Sequence, residues 1–216
     1  MPFIIGIDFG NQNCLVAVPR EHSVDILTNQ ASTRLTPTMI SYSNYRRFCG
    51  ISAQQVQMEN ISNVITQIKR LIGLNYHSKE RNIIHNLVPF KMVKGNDDFI
   101  AIETTFLDKP IIISIEQIIA YLLKGLFEIA KLHKIYPDQC VICVPTCWNE
   151  LHRLVLLNAA KISKMNPPIL LNTTTAVAIT YSQYHREVID DEKDYFVAFI
   201  DFGDCCFTSS IVKYHG

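Results

Sequence analysis

Phe3-Ile4-Ile5-Gly6-Ile7-Asp8-Phe9-Gly10-Asn11-Gln12-Asn13-Cys14-Leu15-Val16-Ala17-Val18 is the stretch on which the rest of the chain is read. Two apolar, β-rich runs flank a short polar segment containing Gly10, the pattern of a hairpin. Its tip can offer backbone N–H groups to a phosphate, with Asp8 closing the first strand. The same residues also suit an edge hairpin that binds nothing, because short glycine motifs carry little information alone.

The far end of the chain repeats the beginning. Tyr195 to Phe202 is an apolar run ending in Asp201-Phe202-Gly203, followed by a short tip and a return strand from Phe207 to Tyr214. Two such hairpins, ending in Asp8-Phe9-Gly10 and Asp201-Phe202-Gly203, can face one another across a cleft. A triphosphate would lie on their backbone N–H groups, while the two carboxylates hold a hydrated Mg²⁺ through its waters. Phosphoryl chemistry in such a cleft depends on positioning and charge neutralisation, for which a lysine on the wall is the usual supplement.

Composition narrows the function classes. Lys plus Arg and Asp plus Glu number 20 each in 216 residues, so no charge excess favours a nucleic-acid backbone or an acidic membrane surface. The apolar start has no basic segment before it and is broken by Asp8, which argues against a signal peptide. The longest apolar stretch, Ile111 to Phe127, is interrupted by Ser114, Glu116, Gln117 and Lys124 and does not reach membrane-spanning length. A soluble chain of the cytoplasm or nucleus is expected. Seven cysteines, an odd number at strand-like or adjacent positions, fit reduced thiols. Cys140 and Cys143 form a Cys-x-x-Cys, but Gln139 to Val144 reads as a strand, where an odd offset puts the thiols on opposite faces.

Between the hairpins, Ser23 to Thr28 completes a three-stranded meander, and Thr36-Pro37-Thr38 marks a boundary near Pro37 before a strand-like Met39 to Tyr42. Ser52 to Gly73 has the three- and four-residue apolar steps of one helix, through Val64, Ile65, Ile68, Leu71 and Ile72. Three β-type runs between Leu87 and Ser114 predict an antiparallel sheet. Ser114 with Gln117 has capping-box spacing at the head of a helix whose stripe is Ile118, Ile119, Leu122, Leu123, Leu126, Phe127 and Ala130. A strand covered on both faces, Gln139 to Val144, follows. Then come a helix from Glu150 to Lys164 capped by Asn149 with Leu151, Leu154, Val155, Leu157 and Ala160 as its stripe, a buried strand at Ile169 to Leu171, and a close-packing small-residue helix from Thr175 to Tyr184. The order β-β-β-α-β-α-β-α is that of a ribonuclease-H-like α/β unit. Arg186 to Asp194 reads as a polar linker. The expected division is a ribonuclease-H-like subdomain of residues 1–37 and 114–186, an inserted α+β subdomain of residues 38–113, and the start of a second lobe over 187–216.

These residues resemble the heat shock protein 70 family, and more closely its heat shock protein 110 branch. The resemblance rests on Gly6 to Cys14, Arg34-Leu35-Thr36-Pro37-Thr38, Ile68-Lys69-Arg70-Leu71-Ile72-Gly73, Val144-Pro145, Thr175 to Ile179 and Asp201-Phe202-Gly203. It implies an actin-like ATPase fold: the first lobe with its two subdomains, and the opening hairpin of the second. It implies ATP or ADP with Mg²⁺ as ligand. Gly10, Asn11 and Gln12 would border the β- and γ-phosphates, Asp8 and Asp201 the metal's waters, Gly203 the second phosphate loop and Lys69 the γ-phosphate, with Lys69 and Asp201 as catalytic candidates. Pro145 matches the proline that couples nucleotide state to interdomain signalling. Partners by resemblance are heat shock protein 70 chaperones and unfolded clients, in protein folding and the stress response.

The departures point the other way for hydrolysis. Asn172-Thr173-Thr174-Thr175-Ala176 stands where the family has Asn-Glu-Pro-Thr-Ala, so Thr173 replaces the catalytic-site glutamate. Gly203-Asp204-Cys205-Cys206-Phe207-Thr208 has lost glycines, and Asp204 adds negative charge where phosphate oxygens approach. In the family most of the adenosine pocket belongs to the second lobe, so weak nucleotide binding by this chain alone is expected. Three readings follow: an ATP-binding cochaperone or nucleotide exchange factor with slow or absent hydrolysis, a non-catalytic interaction module, and an ATPase that drives client release.

Overall fold

A computed structural model describes residues 3–43, 45–185 and 194–215. Strict alternation in the opening stretch produces its hairpin: β1 (Ile4–Phe9) pairs antiparallel with β2 (Asn13–Pro19), burying Ile5, Ile7, Phe9, Cys14, Val16 and Val18. β3 (Val24–Ile26) and the two-residue β4 (Thr36–Pro37) both pair with β2. After Pro37 the chain leaves this sheet. β5 (Ile40–Tyr42), β6 (Arg47–Cys49), helix α1 (Ile51–Gln55) and β7 (Val64–Ile65) follow, the three strands forming a small sheet in the order β6-β5-β7. Then come α2 (Ile68–Leu71), α3 (Lys79–His85) and an antiparallel sheet of β8 (Lys91–Lys94), β9 (Ile100–Phe106) and β10 (Lys109–Ser114).

α4 (Ile115–Leu132) joins these layers. Its N-terminus carries the expected capping box: the Ser114 hydroxyl accepts from the Gln117 backbone N–H at 3.3 Å, and the Gln117 side chain accepts from the Ser114 N–H at 3.0 Å. Ile118, Ile119, Leu122, Leu123 and Leu126 are fully buried, each contributing roughly 1.5–3 kcal/mol. α4 reaches α2, α5, β2, β6, β9 and β10, so one apolar helix ties the large sheet to the inserted strands. The chain then returns to the large sheet with β11 (Gln139–Val144), α5 (Glu150–Ile162), β12 (Ile169–Asn172) and α6 (Thr173–Tyr184). β11 lies parallel to β1, and β12 parallel to β11, giving the order β12-β11-β1-β2-β3 of a ribonuclease-H-like sheet. β13 (Tyr195–Phe202) and β14 (Phe207–Tyr214) form the closing hairpin. It rests on α6, where the Tyr214 hydroxyl donates to the Ala178 carbonyl at 2.9 Å and the Tyr181 ring meets Phe199 edge-on.

Several expectations need correction. Ser52 to Gly73 is not one helix but α1, a 3₁₀ turn, β7 and α2. Val64 and Ile65 sit at helical spacing, yet pairing with Ser41 and Ile40 of β5 buries them in a strand, and Gln67, in the left-handed region (φ 54°), redirects the chain. The short α3 between Tyr76 and Leu87 was not anticipated. Ile169 to Leu171 is an edge strand rather than a buried one, and α6 buries none of its residues, because only β11 flanks that side of the sheet. α5 exists as expected, but it buries Val155, Leu156, Ala159 and Ala160 while Leu151 and Leu154 are exposed. β11 buries Cys140, Ile142 and Val144 fully and its other face only in part, with the two thiols on opposite faces as expected. The linker residues 186–193 lie outside the described residues.

Candidate functional site

β1 delivers Asp8 to the end of the first hairpin, opposite Leu15 of β2 and Cys143 of β11. The turn beyond it is too tight for a side chain: a Cβ on Gly10 would lie 2.1 Å from the Asn13 carbonyl oxygen. Thr38 pins this tip from behind, its hydroxyl donating to the Gly10 carbonyl and its N–H to the Gln12 carbonyl, both at 2.9 Å. Asn11, only 6 % exposed, turns into the protein. Its Nδ2 donates to Gln67 Oε1 at 2.8 Å and to Asp204 Oδ2 at 2.6 Å, while its Oδ1 is buried without a donor. The two acceptors fix which way the amide faces.

The second hairpin brings Asp201 to the same place. Asp201 pairs with Thr208, and the Gly203 N–H donates to the Cys206 carbonyl at 2.9 Å to close the turn. A Cβ on Gly203 would meet nothing nearer than that carbonyl at 3.5 Å, so this tip, unlike the first, is sterically open to a side chain. α2 supplies Lys69, whose ammonium stands 6.0 Å from the centre of the Phe9 ring, within reach of a cation–π attraction. Pro145 and Thr146 after β11, and Thr173 and Thr174 at the head of α6, form the remaining wall.

Together these groups line a cavity of about 200 Å³. Its electrostatics are coupled. Asp8 is open to the cleft, but the surrounding protein displaces enough water to raise its carboxyl above the usual carboxylate range; Lys69 opposes that shift and Asp201 adds to it. Three carboxylates, Asp8, Asp201 and Asp204, face one ammonium, Lys69. A bare anion would be repelled here, and a polyphosphate fits only together with a divalent cation. Loss of water on its covered side first, then the adjoining Cys206 sulfur 3.5 Å away, pushes the otherwise exposed Cys205 thiol up to about 11, so it adds no charge near neutrality. Larger hollows of about 360 and 400 Å³ lie beside Arg47, Tyr121 and Lys124 of the inserted strands and α4, but neither brings two carboxylates together.

The structure therefore gathers Asp8, Gly10, Asn11, Lys69, Asp201 and Gly203 around one cavity, and not Gln12, whose side chain is exposed outside the lining. Thr173 does line it, but its hydroxyl donates to the Val144 carbonyl at 3.1 Å and is committed to backbone. Sequence reading missed Gln67 and the bond between Asn11 and Asp204. No local signal marks a side-chain contact between residues 193 positions apart. The residues present fit a magnesium nucleotide in one respect and resist it in another. A glycine tip with no room for Cβ, a lysine, two carboxylates and the donorless Asn11 oxygen suit phosphates and coordinated water; Asp204 crowds them.

A ribonuclease-H-like sheet whose glycine hairpin faces a second Asp-Phe-Gly hairpin across a carboxylate-lined cavity is the first lobe of an actin-like ATPase fold. The family described as Hsp70 protein matches residues 4–216, and the chain belongs to that family. It is 34 % identical over 217 residues to heat shock protein 88 of Dictyostelium discoideum, covering 99 % of this chain and 28 % of that protein. It is 34 % identical over 202 residues to heat shock 70 kDa protein 14 of Arabidopsis thaliana, covering 93 % and 24 %. Heat shock protein 110 of Caenorhabditis elegans is 29 % identical over 218 residues, covering 98 % and 28 %. The chain thus spans about a quarter of the length of the curated relatives it matches.

Proposed function

We propose that this chain is the nucleotide-holding part of a heat shock protein 110-like chaperone, binding ATP or ADP with Mg²⁺ in the two-hairpin cleft and hydrolysing ATP slowly or not at all. The observation that carries this reading is the convergence of Asp8, Lys69 and Asp201 beside the Gly10 tip in one cavity. The Gly10 and Gly203 hairpins would take phosphates on backbone N–H groups, and Lys69 would neutralise the terminal phosphate. Asp8 and Asp201 would hold the cation through its waters. Bound magnesium would supply charge neutralisation across the phosphates.

Slow hydrolysis follows from Thr173. A hydroxyl spent on the Val144 carbonyl carries no charge and cannot act as the carboxylate that would orient an attacking water. This weighs against an ATPase that drives client release and favours a cochaperone or nucleotide exchange factor working with a heat shock protein 70 partner on unfolded clients, in the cytoplasm or nucleus. The reading as an interaction module without nucleotide has one observation in its favour, the Asp204 carboxylate on Asn11.

Calorimetric titration with Mg-ATP tests the proposal. Saturable heat is expected, weakened at least about tenfold in Lys69→Ala and in Asp8→Ala, the loss of about 1.4 kcal/mol or more for a charged contact. Heat indistinguishable from dilution in the unaltered chain contradicts it. Accelerated nucleotide release from a heat shock protein 70 partner tests the exchange role; no acceleration removes that role.

A further inference from the structure

Asp204 sits within the cavity where a phosphate oxygen has to approach, and it is not idle there. Its Oδ2 accepts from Asn11 Nδ2 at 2.6 Å, a short contact from an amide N–H to a carboxylate. Asn11 is nine-tenths buried, and its other N–H is taken by Gln67 at 2.8 Å. Gln67 is itself held in the left-handed region at φ 54°, a conformation costly for a residue with a side chain. The whole donor capacity of the Asn11 amide is therefore spent on protein acceptors, one of them an anion. The Asn11 Oδ1, meanwhile, is buried with no donor. The polar tip of the first hairpin is thus satisfied on its donor side and orphaned on its acceptor side.

We propose that Asp204 is a tethered competitor for phosphate: its carboxylate takes the anion position beside Asn11, and the 203–206 tip must release it before a phosphate can enter. The inference rests on the reading of the cleft as a phosphate site. A carboxylate and a phosphoryl oxygen accept from the same N–H and cannot share it. A carboxylate on a short tether competes at an effective concentration on the order of millimolar, comparable to that of a flexibly linked ligand. Repulsion strengthens the exclusion, since Asp8 and Asp201 already face the cavity against Lys69 alone. The tip that carries Asp204 is not packed in: a Cβ at Gly203 has only ordinary contact around it, and Cys205 and Cys206 are exposed. Release leaves the Asn11 N–H free for a phosphoryl oxygen while Gln67 keeps the other.

Two variants and two readouts test this on the whole chain. Without ligand, the side-chain amide signals of Asn11 in a ¹⁵N-correlation spectrum should move in Asp204→Gly and, by less, in Asp204→Asn, which keeps a neutral acceptor; unchanged signals overturn the contact. With Mg-ADP, Asp204→Gly should bind about 10- to 100-fold tighter than the unaltered chain, the range of one hydrogen bond to a charged group, with Asp204→Asn between them. Equal affinities in all three overturn the competitor and leave the nucleotide reading standing. Binding in Asp204→Gly but not in the unaltered chain supports the competitor and removes the nucleotide reading for the native sequence. No binding in any of the three overturns both.

Discussion

Replacing Gly10 with alanine tests whether the first hairpin tip is as tight as its geometry requires. The added methyl would lie 2.1 Å from the Asn13 carbonyl oxygen, a backbone atom that cannot swing aside. The tip must open, and Thr38 resists, since its hydroxyl and its N–H hold the Gly10 and Gln12 carbonyls at 2.9 Å. Weakening those two hydrogen bonds costs about 0.5–1.5 kcal/mol each, and overpacking typically adds about 1–3 kcal/mol. A net loss of about 2–6 kcal/mol corresponds to a fall in Tm of roughly 4–24 °C for a chain of this size. Gly203→Ala is the internal control, because its methyl would meet only the Cys206 carbonyl at 3.5 Å; its effect should stay within about 0.5 kcal/mol. Thermal unfolding followed by far-UV circular dichroism, without nucleotide, reads both. Equal falls in the two variants, or a larger fall in Gly203→Ala, refute the reasoning.

Asp8→Asn should raise stability at pH 7. Water displaced by the surrounding protein first, and Asp201 after Lys69's opposing effect, lifts the folded-state pKa of Asp8 above its unfolded value, although its side chain is open to the cleft. The charged form is therefore disfavoured on folding. The group's stabilising contribution is complete below the unfolded pKa of about 3.9 and is lost as pH rises through the folded pKa. The variant's gain should vanish below the ordinary carboxylate range, and a gain of the same size there would contradict the assignment; the same change should weaken Mg-nucleotide, the usual trade of a strained site. Thiol labelling should divide the cysteines sharply. Burial pushes Cys14 up to about 11, Cys49 to about 12 and Cys140 to about 11, so iodoacetamide at pH 7.5, read by peptide mass, should spare these three in the folded chain while modifying exposed Cys147. Labelling of Cys49 as fast as Cys147 would mean that α4 does not cover it.

Both ends of the chain could be read because each residue's neighbours in sequence are also its neighbours in space. Alternation over Ile4 to Val18 makes a hairpin by local pairing, and the Ser114 box and apolar stripe specify α4 within one element. Val64 and Ile65 show where this fails: their helical spacing is overridden by pairing with β5, a partner more than twenty residues away. The exposure of β12 and α6 is equally nonlocal, since it depends on what stands beside the sheet edge. At the site, Asp8 and Asp201 were legible as a repeated Asp-Phe-Gly. Asp204 was legible as an added charge at the second tip, but its bond to Asn11 and the part played by Gln67 were not, because a polar side chain gives no pattern for the partner it meets across the fold.

The central claim is that the two hairpins form one magnesium-nucleotide cleft, and a titration of the ¹⁵N-labelled chain with Mg-ATP observes both hairpins at once. The backbone amide signals of Gly10, Asn11 and Gly203 should shift together and saturate along a single binding curve. Shifts confined to one hairpin, or located instead around Arg47, Tyr121 and Lys124 beside the larger hollows, would contradict it.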